Sequence, residues 1–276
     1  MSTFQQNNPL WAIQKIAVHD VDSRGMIEAL TSLDIPFVTL NIPPFAYSSI
    51  TVPKYHGPVI PYGGTNFIDA VKNDEGWMCW YTDDFTYSNA VTHLGTQMFN
   101  ADGQFMTIGQ FSEASNCPSD ICDEYIFVRP DRDIKEFVGN VVRVQELKKW
   151  AADIIGQGWQ VDENTRILVA KASRVDEEWR LFVVNGVIVS GSRYRRERHR
   201  SISSCVPERV MDYADEIIST WSPSEVFVID ICRVGEDLSV LEFGDFHSAG
   251  WYASDKQAII RAISDYAMEV YGGRSS

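Results

Sequence analysis

The stretch VFVIDICRVGEDLSVLEFGD, residues 226–245, constrains the fold more than any other in the chain. Its two flanks are rich in β-branched and aromatic residues and alternate as strands do, and the G-E-D between them reads as a three-residue hairpin loop. With that loop at Gly235 to Asp237, Val234 faces Leu238, and counting back sets Asp230 opposite Glu242. Like charges at facing positions destabilise a hairpin, and nothing in the local sequence compensates. One reading is a bound cation, since two carboxylates offer the hard oxygen ligands that suit Mg²⁺. The other is a one-residue change of register that turns Glu242 to the opposite, solvated face.

A second hairpin is signalled by EEWRLFVVNGVIVSGSRY, residues 177–194, where Asn185-Gly186 suits a type I′ turn. Val184 then faces Val187, and the same counting brings Glu178 opposite Arg193 with Arg180 one step away on that face. A surface salt bridge would account for this blandly and contribute little. Yet Phe182 and Val184 share the face, and arginine is favoured where phosphate or carboxylate is held by a planar fork. Just beyond, RYRRERHR at 193–200 gathers five of the chain's 24 Lys and Arg. A solvated loop and an anion-binding loop are both open readings. Nucleic-acid contact is a weaker one, because Tyr194 is the only aromatic residue in the run that could stack on a base.

Between the chain's start and these hairpins the signals are shorter. A helix is expected around SRGMIEALTSL and strands at IPFVTLNI and GPVIPY, separated by proline-rich segments. Gly63-Gly64-Thr65 could cradle a phosphate but lacks a P-loop's lysine and spacing, so a plain turn is the reading preferred. EYIFVRP is an apolar strand ending at Arg129-Pro130, followed by a turn and Lys135. Val144, Leu147, Ala151 and Ile154 or Ile155 have helical spacing, RILVAKA is a strand, and SCVPERVMDYADEIISTW is a helix with Pro207 in its first turn. A last helix, capped by Ser254 or Asp255, ends at glycines. The aromatic run EGWMCWYTDDFTY reads by default as packed core.

Composition closes off some functions. The formal net charge of −14 disfavours broad nucleic-acid affinity. No apolar run is long enough for a membrane helix, MSTFQQNNPLW shows no signal pattern, and five cysteines lack C-x-x-C pairing. A cytoplasmic protein with reduced thiols and no zinc site is expected.

Four ordered motifs, FVRPDRDIKEFVG, EEWRLFVVNGVIVSGSRY, VFVIDICR and VLEFGDFHSAGWY, together resemble the ATP-grasp superfamily. The resemblance is closest to its clade named for a characteristic arginine and two lysines, which is seen often in phages and bacteria, and it covers roughly residues 105 to 255. It implies an α+β fold with two lobes clasping ATP after a small N-terminal α/β lobe, divided as 1–104, 105–170 and 171–276. It also implies a Mg²⁺- and ATP-dependent carboxylate–amine ligase of the peptide type, working through an acyl phosphate on small-molecule, peptide or protein substrates. By that resemblance Arg129, Lys135, Lys171, Glu178 and Arg180 bind the nucleotide, with Arg180 and Lys135 catalytic, and Asp230, Glu242 and Asp245 hold the metal. Arg193, Tyr194, His247 and Ser248 fall on the substrate side. One departure stands out: the clade's pattern E-F-N is here E-F-G, with Gly244 at the asparagine position. Two alternatives follow, a catalytically weakened nucleotide-binding module and an ATP-dependent modifier of a nucleic acid.

Overall fold

The structure, a computed structural model, describes residues 8–15, 21–42, 50, 55–112, 124–132, 137–157 and 161–274. Three sheets organise these residues. The first is parallel, in the order β2-β1-β3, from β1 (Leu10–Gln14), β2 (Phe37–Leu40) and β3 (Val59–Tyr62). Helix α1 (Val21–Ser32) lies between β1 and β2 in the chain, and α2 (Thr65–Val71) and α3 (Tyr87–Leu94) follow β3. The second sheet is antiparallel, β4-β7-β5-β6, built from β4 (Gln104–Thr107), β5 (Tyr125–Pro130), β6 (Asn140–Arg143) and β7 (Arg166–Lys171). Its apolar face packs on α4 (Ile108–Ser112) and α5 (Leu147–Gln157), through Ile126, Val128, Ile167 and Val169 against Phe111, Leu147 and Ala151.

The third sheet, β10-β9-β8-β11-β12, holds the two hairpins. Its strands are β8 (Glu177–Val184), β9 (Val187–Arg196), β10 (His199–Ser203), β11 (Val226–Val234) and β12 (Asp237–Asp245), with α6 (Glu208–Thr220) after β10 and α7 (Lys256–Arg274) closing the fold. Both faces are covered, which is why β8 and β11 are apolar almost throughout. Trp179, Leu181, Val183, Phe227, Ile229 and Ile231 enter a core shared with α3 and α6. Phe182, Val184, Val226 and Val228 enter another, shared with β1, β3, α1 and α7. This second core includes Trp11, Phe246 and Trp251, and each large apolar side chain buried there contributes roughly 1.5–3 kcal/mol. Along the same face the next positions are Arg180, Glu178 and Asp230, so the apolar cover gives way to charge at one level of the sheet.

Both hairpins depart from simple counting. The turn between β11 and β12 has two residues, not three: Val234 pairs with Asp237, and Gly235 takes the left-handed φ of 58° its place requires. A bulge at Leu241 then restores the count, so Asp230 does face Glu242. Asn185 and Gly186 form the expected left-handed pair, but bulges at Val189 and Tyr194 shift the register beyond. Glu178 therefore faces Arg195 rather than Arg193.

Smaller departures are local. Residues 193–200 are not a loop but the outer end of β9, a two-residue turn and the start of β10. Pro207 is the N-cap of α6, Asp255 rather than Ser254 accepts the Ala258 amide at the start of α7, and Gly272 and Gly273 lie within α7. Helix α5 begins at Leu147, after a 3₁₀ turn at Val144–Glu146. Among the described residues no helix is long and apolar enough to cross a membrane.

Candidate functional site

Where the third sheet turns charged, side chains from two sheets meet. Arg180 on β8 is in register with Asp230 on β11, and its Nε and Nη2 donate to the two carboxylate oxygens at 2.8 Å each. Tyr194 donates its hydroxyl to Asp230 Oδ2 at 3.0 Å. Across the strand, Glu242 accepts from Arg129 Nη2 at 2.8 Å, and its other oxygen lies 3.8 Å from Arg180 Nη2. Arg129 reaches over from β5 of the second sheet and also donates from Nη1 to the Leu241 carbonyl, at the β12 bulge. The repulsion between Asp230 and Glu242 is thus offset by two arginines remote in sequence, which local reading could not find. The register change that would turn Glu242 to the solvated face does not occur, and the arginines add a compensation that neither sequence reading named.

Aromatic rings fix both guanidiniums. Arg180 lies 5.7 Å from the Tyr194 ring and 5.4 Å from the Tyr252 ring, and the two rings stack 4.9 Å apart. Arg129 sits 4.6 Å over the Tyr87 ring, at the start of α3. Such contacts hold a planar cation while leaving its edge free for hydrogen bonding. Asp131 secures this corner by accepting from the Ser88 amide and hydroxyl, at 2.7 and 2.8 Å. Tyr87 and Asp131 carried no sequence signal, because their partners lie on other elements.

Burial sets the electrostatics. It pushes the Asp230 carboxyl up from its ordinary value against the opposing pull of Arg180, and it pushes the Tyr194 hydroxyl well up. Burial alone would lower Arg180, but Asp230 more than reverses that and keeps the guanidinium charged. Nearby, Glu177 would also be raised by burial, yet hydrogen bonds from Arg233 and Arg193 hold it below the ordinary carboxylate value.

At the family level the matter is decided by one match: the model of the ATP-grasp domain, family 2 of the clade named for one arginine and two lysines, covers residues 104–262 of this 276-residue chain. The chain belongs to that family. Its fold is the ATP-grasp fold, and solved structures agree. It is similar to D-alanine–D-alanine ligase from Bacillus anthracis (TM-score 0.60, 10% identity, 96% of this chain and 99% of that one). It is similar also to D-cycloserine synthetase DcsG (0.62, 12%, 93% and 99%). A third is the ATP-grasp ligase PsnB complexed with minimal precursor (0.55, 9%, 94% and 99%). No curated protein matches at the sequence level.

Within this ATP-grasp chain the expected site residues fall into groups. Arg129, Arg180, Tyr194, Asp230 and Glu242 are brought together. Glu178 is adjacent and buried, bound to Arg195 at 3.1 Å. Lys171 is exposed at the end of β7, where the chain leaves the second sheet for the third. Lys135 lies outside the described residues.

Four expectations are corrected or narrowed. Arg193 is engaged by Glu177 at 2.8 Å and by Ser201, which leaves it a structural tie. Asp245 is buried and accepts the His247 amide, capping the 3₁₀ turn that follows β12. Among the described residues no group of three His, Cys, Asp or Glu side chains is arranged to hold a metal. His247 is fully buried and stacked on Trp80. Its Nε2 accepts the Trp80 amide at 3.0 Å, and Nδ1 lies 2.6 Å from the Pro61 carbonyl. An amide can only donate and a carbonyl only accept, so the neutral Nδ1–H tautomer is fixed, and the ring ties the first sheet to the third instead of meeting a substrate. Ser248 ends the same turn, half-buried.

Proposed function

We propose that the chain is an ATP- and Mg²⁺-dependent carboxylate–amine ligase that activates a carboxylate as an acyl phosphate and passes it to an amine. The observation carrying this is the convergence of Arg129 and Arg180, from two sheets, on facing Asp230 and Glu242. Phosphoryl transfer asks a protein for little covalent work and much charge placement, which two guanidiniums and two carboxylates supply. Mg²⁺ is commonly held by one or two carboxylates plus substrate phosphates, and the facing pair Asp230 and Glu242 fits that donor set. When bound, the ion neutralises charge building on the phosphate oxygens.

The chain's own residues do the rest. Arg180, held by the Tyr194 and Tyr252 rings, spends Nε and Nη2 on Asp230, and its remaining N–H groups can donate to a phosphoryl group. Arg129 on its tyrosine offers a second cation from the opposite lobe. Lys135 and Lys171 are proposed as further nucleotide contacts, and Glu178 orients the neighbouring strand through Arg195. Small-molecule, peptide and protein carboxylates and amines are the substrate classes; of the similar structures, D-alanine–D-alanine ligase and D-cycloserine synthetase are named for small molecules and PsnB is complexed with a precursor. A cytoplasmic location, in a phage-infected bacterium or otherwise, goes with this reading.

ADP release from Mg-ATP with a pool of amino acids and short peptides tests it. Turnover that depends on the pool and falls about 100-fold or more in Asp230→Asn and Glu242→Gln is expected. Mg-ATP binding without ADP release under any pool would contradict it. That outcome would favour a second reading, a nucleotide-binding module, which is motivated by Gly244 and by the full engagement of Asp230 with Arg180 and Tyr194.

A further inference from the structure

The β9–β10 hairpin combines three properties that the site does not use. Its turn is Glu197-Arg198, with φ of 48° and 69° at the two residues. Two consecutive left-handed positions are what a type I′ turn demands, and Asn-Gly meets that demand at far lower cost than Glu-Arg. The second property is charge. Arg198, His199 and Arg200 are exposed and, among the described residues, make no ion pair, although the whole chain carries −14. Arg195 and Arg196, by contrast, return to Glu178 and Glu177 at 3.1 and 3.7 Å. The third property is position. Among the described residues β10 is an edge strand, paired with β9 alone, and β9 carries Tyr194 directly into the Asp230 site.

We propose that β10 is the docking edge for an acidic peptide segment of the substrate, added to the sheet as an extended strand with its carboxylates on Arg198, His199 and Arg200. This deepens the ligase reading and rests on it. An edge strand offers backbone donors and acceptors that a peptide can reciprocate, and the two arginines select its side chains. A nucleic acid fits less well: the hairpin's one aromatic, Tyr194, is turned inward and stacked on Tyr252, which leaves no platform for a base. At the inner end, Ser203 pairs with Arg193, the residue before Tyr194. A strand laid outside β10 there is roughly 15 Å from Arg180, three strand spacings, which a few extended residues cover. Charge on an edge also deters pairing between copies of a protein, but that role requires no strained turn.

The test is binding of a fluorescein-labelled hexaglutamate peptide to the full chain, with hexalysine and a single-stranded oligonucleotide as comparators, in wild type and in Arg198→Gly/Arg200→Ser. Glycine at 198 suits the left-handed backbone, so the double variant keeps its hairpin. Hexaglutamate affinity is expected to fall about tenfold in the variant. Hydrogen exchange at residues 199–203 should slow when the peptide binds to wild type. Equal affinity for the two proteins, protection elsewhere, or tighter binding of the oligonucleotide overturns the proposal. Mg-ATP titration of both proteins separates the two layers. Normal nucleotide binding without peptide binding overturns the dock alone, whereas peptide binding without nucleotide binding overturns the ligase reading and with it the dock's role in holding a substrate.

Discussion

Arg180 and Asp230 form a buried, bidentate pair, with side-chain exposures of 13% and 1%. A pair so placed offsets its own desolvation only while both members are present, and breaking it strands a charge away from water. Asp230→Leu and Arg180→Met are each expected to cost about 3–5 kcal/mol, and the two combined distinctly less than their sum. Urea unfolding of the three variants checks this, and additive losses would mean that the two residues are not energetically coupled. At this scale the acids and arginines were legible, since charge in an apolar strand is conspicuous. Tyr87 and Asp131 were not, because a tyrosine under a guanidinium and an aspartate on a helix start look like any others until the chain is folded.

At the level of elements, bulges decide what the hairpins present. The Leu241 bulge puts a carbonyl where Arg129 takes it, and the residue bulged out at Tyr194 is the one whose hydroxyl meets Asp230. Turn chemistry and alternation were readable, but a bulge is set by what the strand must face, so counting gave the facing pair at Glu242 only because two errors cancelled. The edge strand within 193–200 owes little to apolar alternation, so nothing in the sequence separates it from a loop. Opposite Leu181, Gly191 marks a close approach: a Cβ there would collide with the Leu181 side chain and lie 3.1 Å from the Arg180 carbonyl. Gly191→Ala should therefore destabilise by about 1–3 kcal/mol. It should also weaken Mg-ATP binding by shifting β8 at Arg180, while unchanged stability and binding in the purified variant would show that the strands can part without harm.

Across the whole molecule, the first and third sheets share one core, and His247 bridges them through Pro61 and Trp80. Trp11 on β1 donates to Ser264 on α7 across 253 positions of sequence. The fold class and the order of the elements were readable from periodicity, turn residues and family resemblance. The interlock of first and third sheets was not, because it depends on which apolar faces meet. The site lies where the cover from the first sheet ends and the second sheet's Arg129 reaches the third, so its charges are assembled by the fold as a whole. The claim that this assembly receives Mg-ATP is tested most directly by calorimetric titration of Mg-ATP into wild type and Arg129→Met. Wild-type binding that depends on Mg²⁺ and falls about tenfold or more in the variant is predicted. Equal affinity in the two proteins, or affinity indifferent to Mg²⁺, would contradict it.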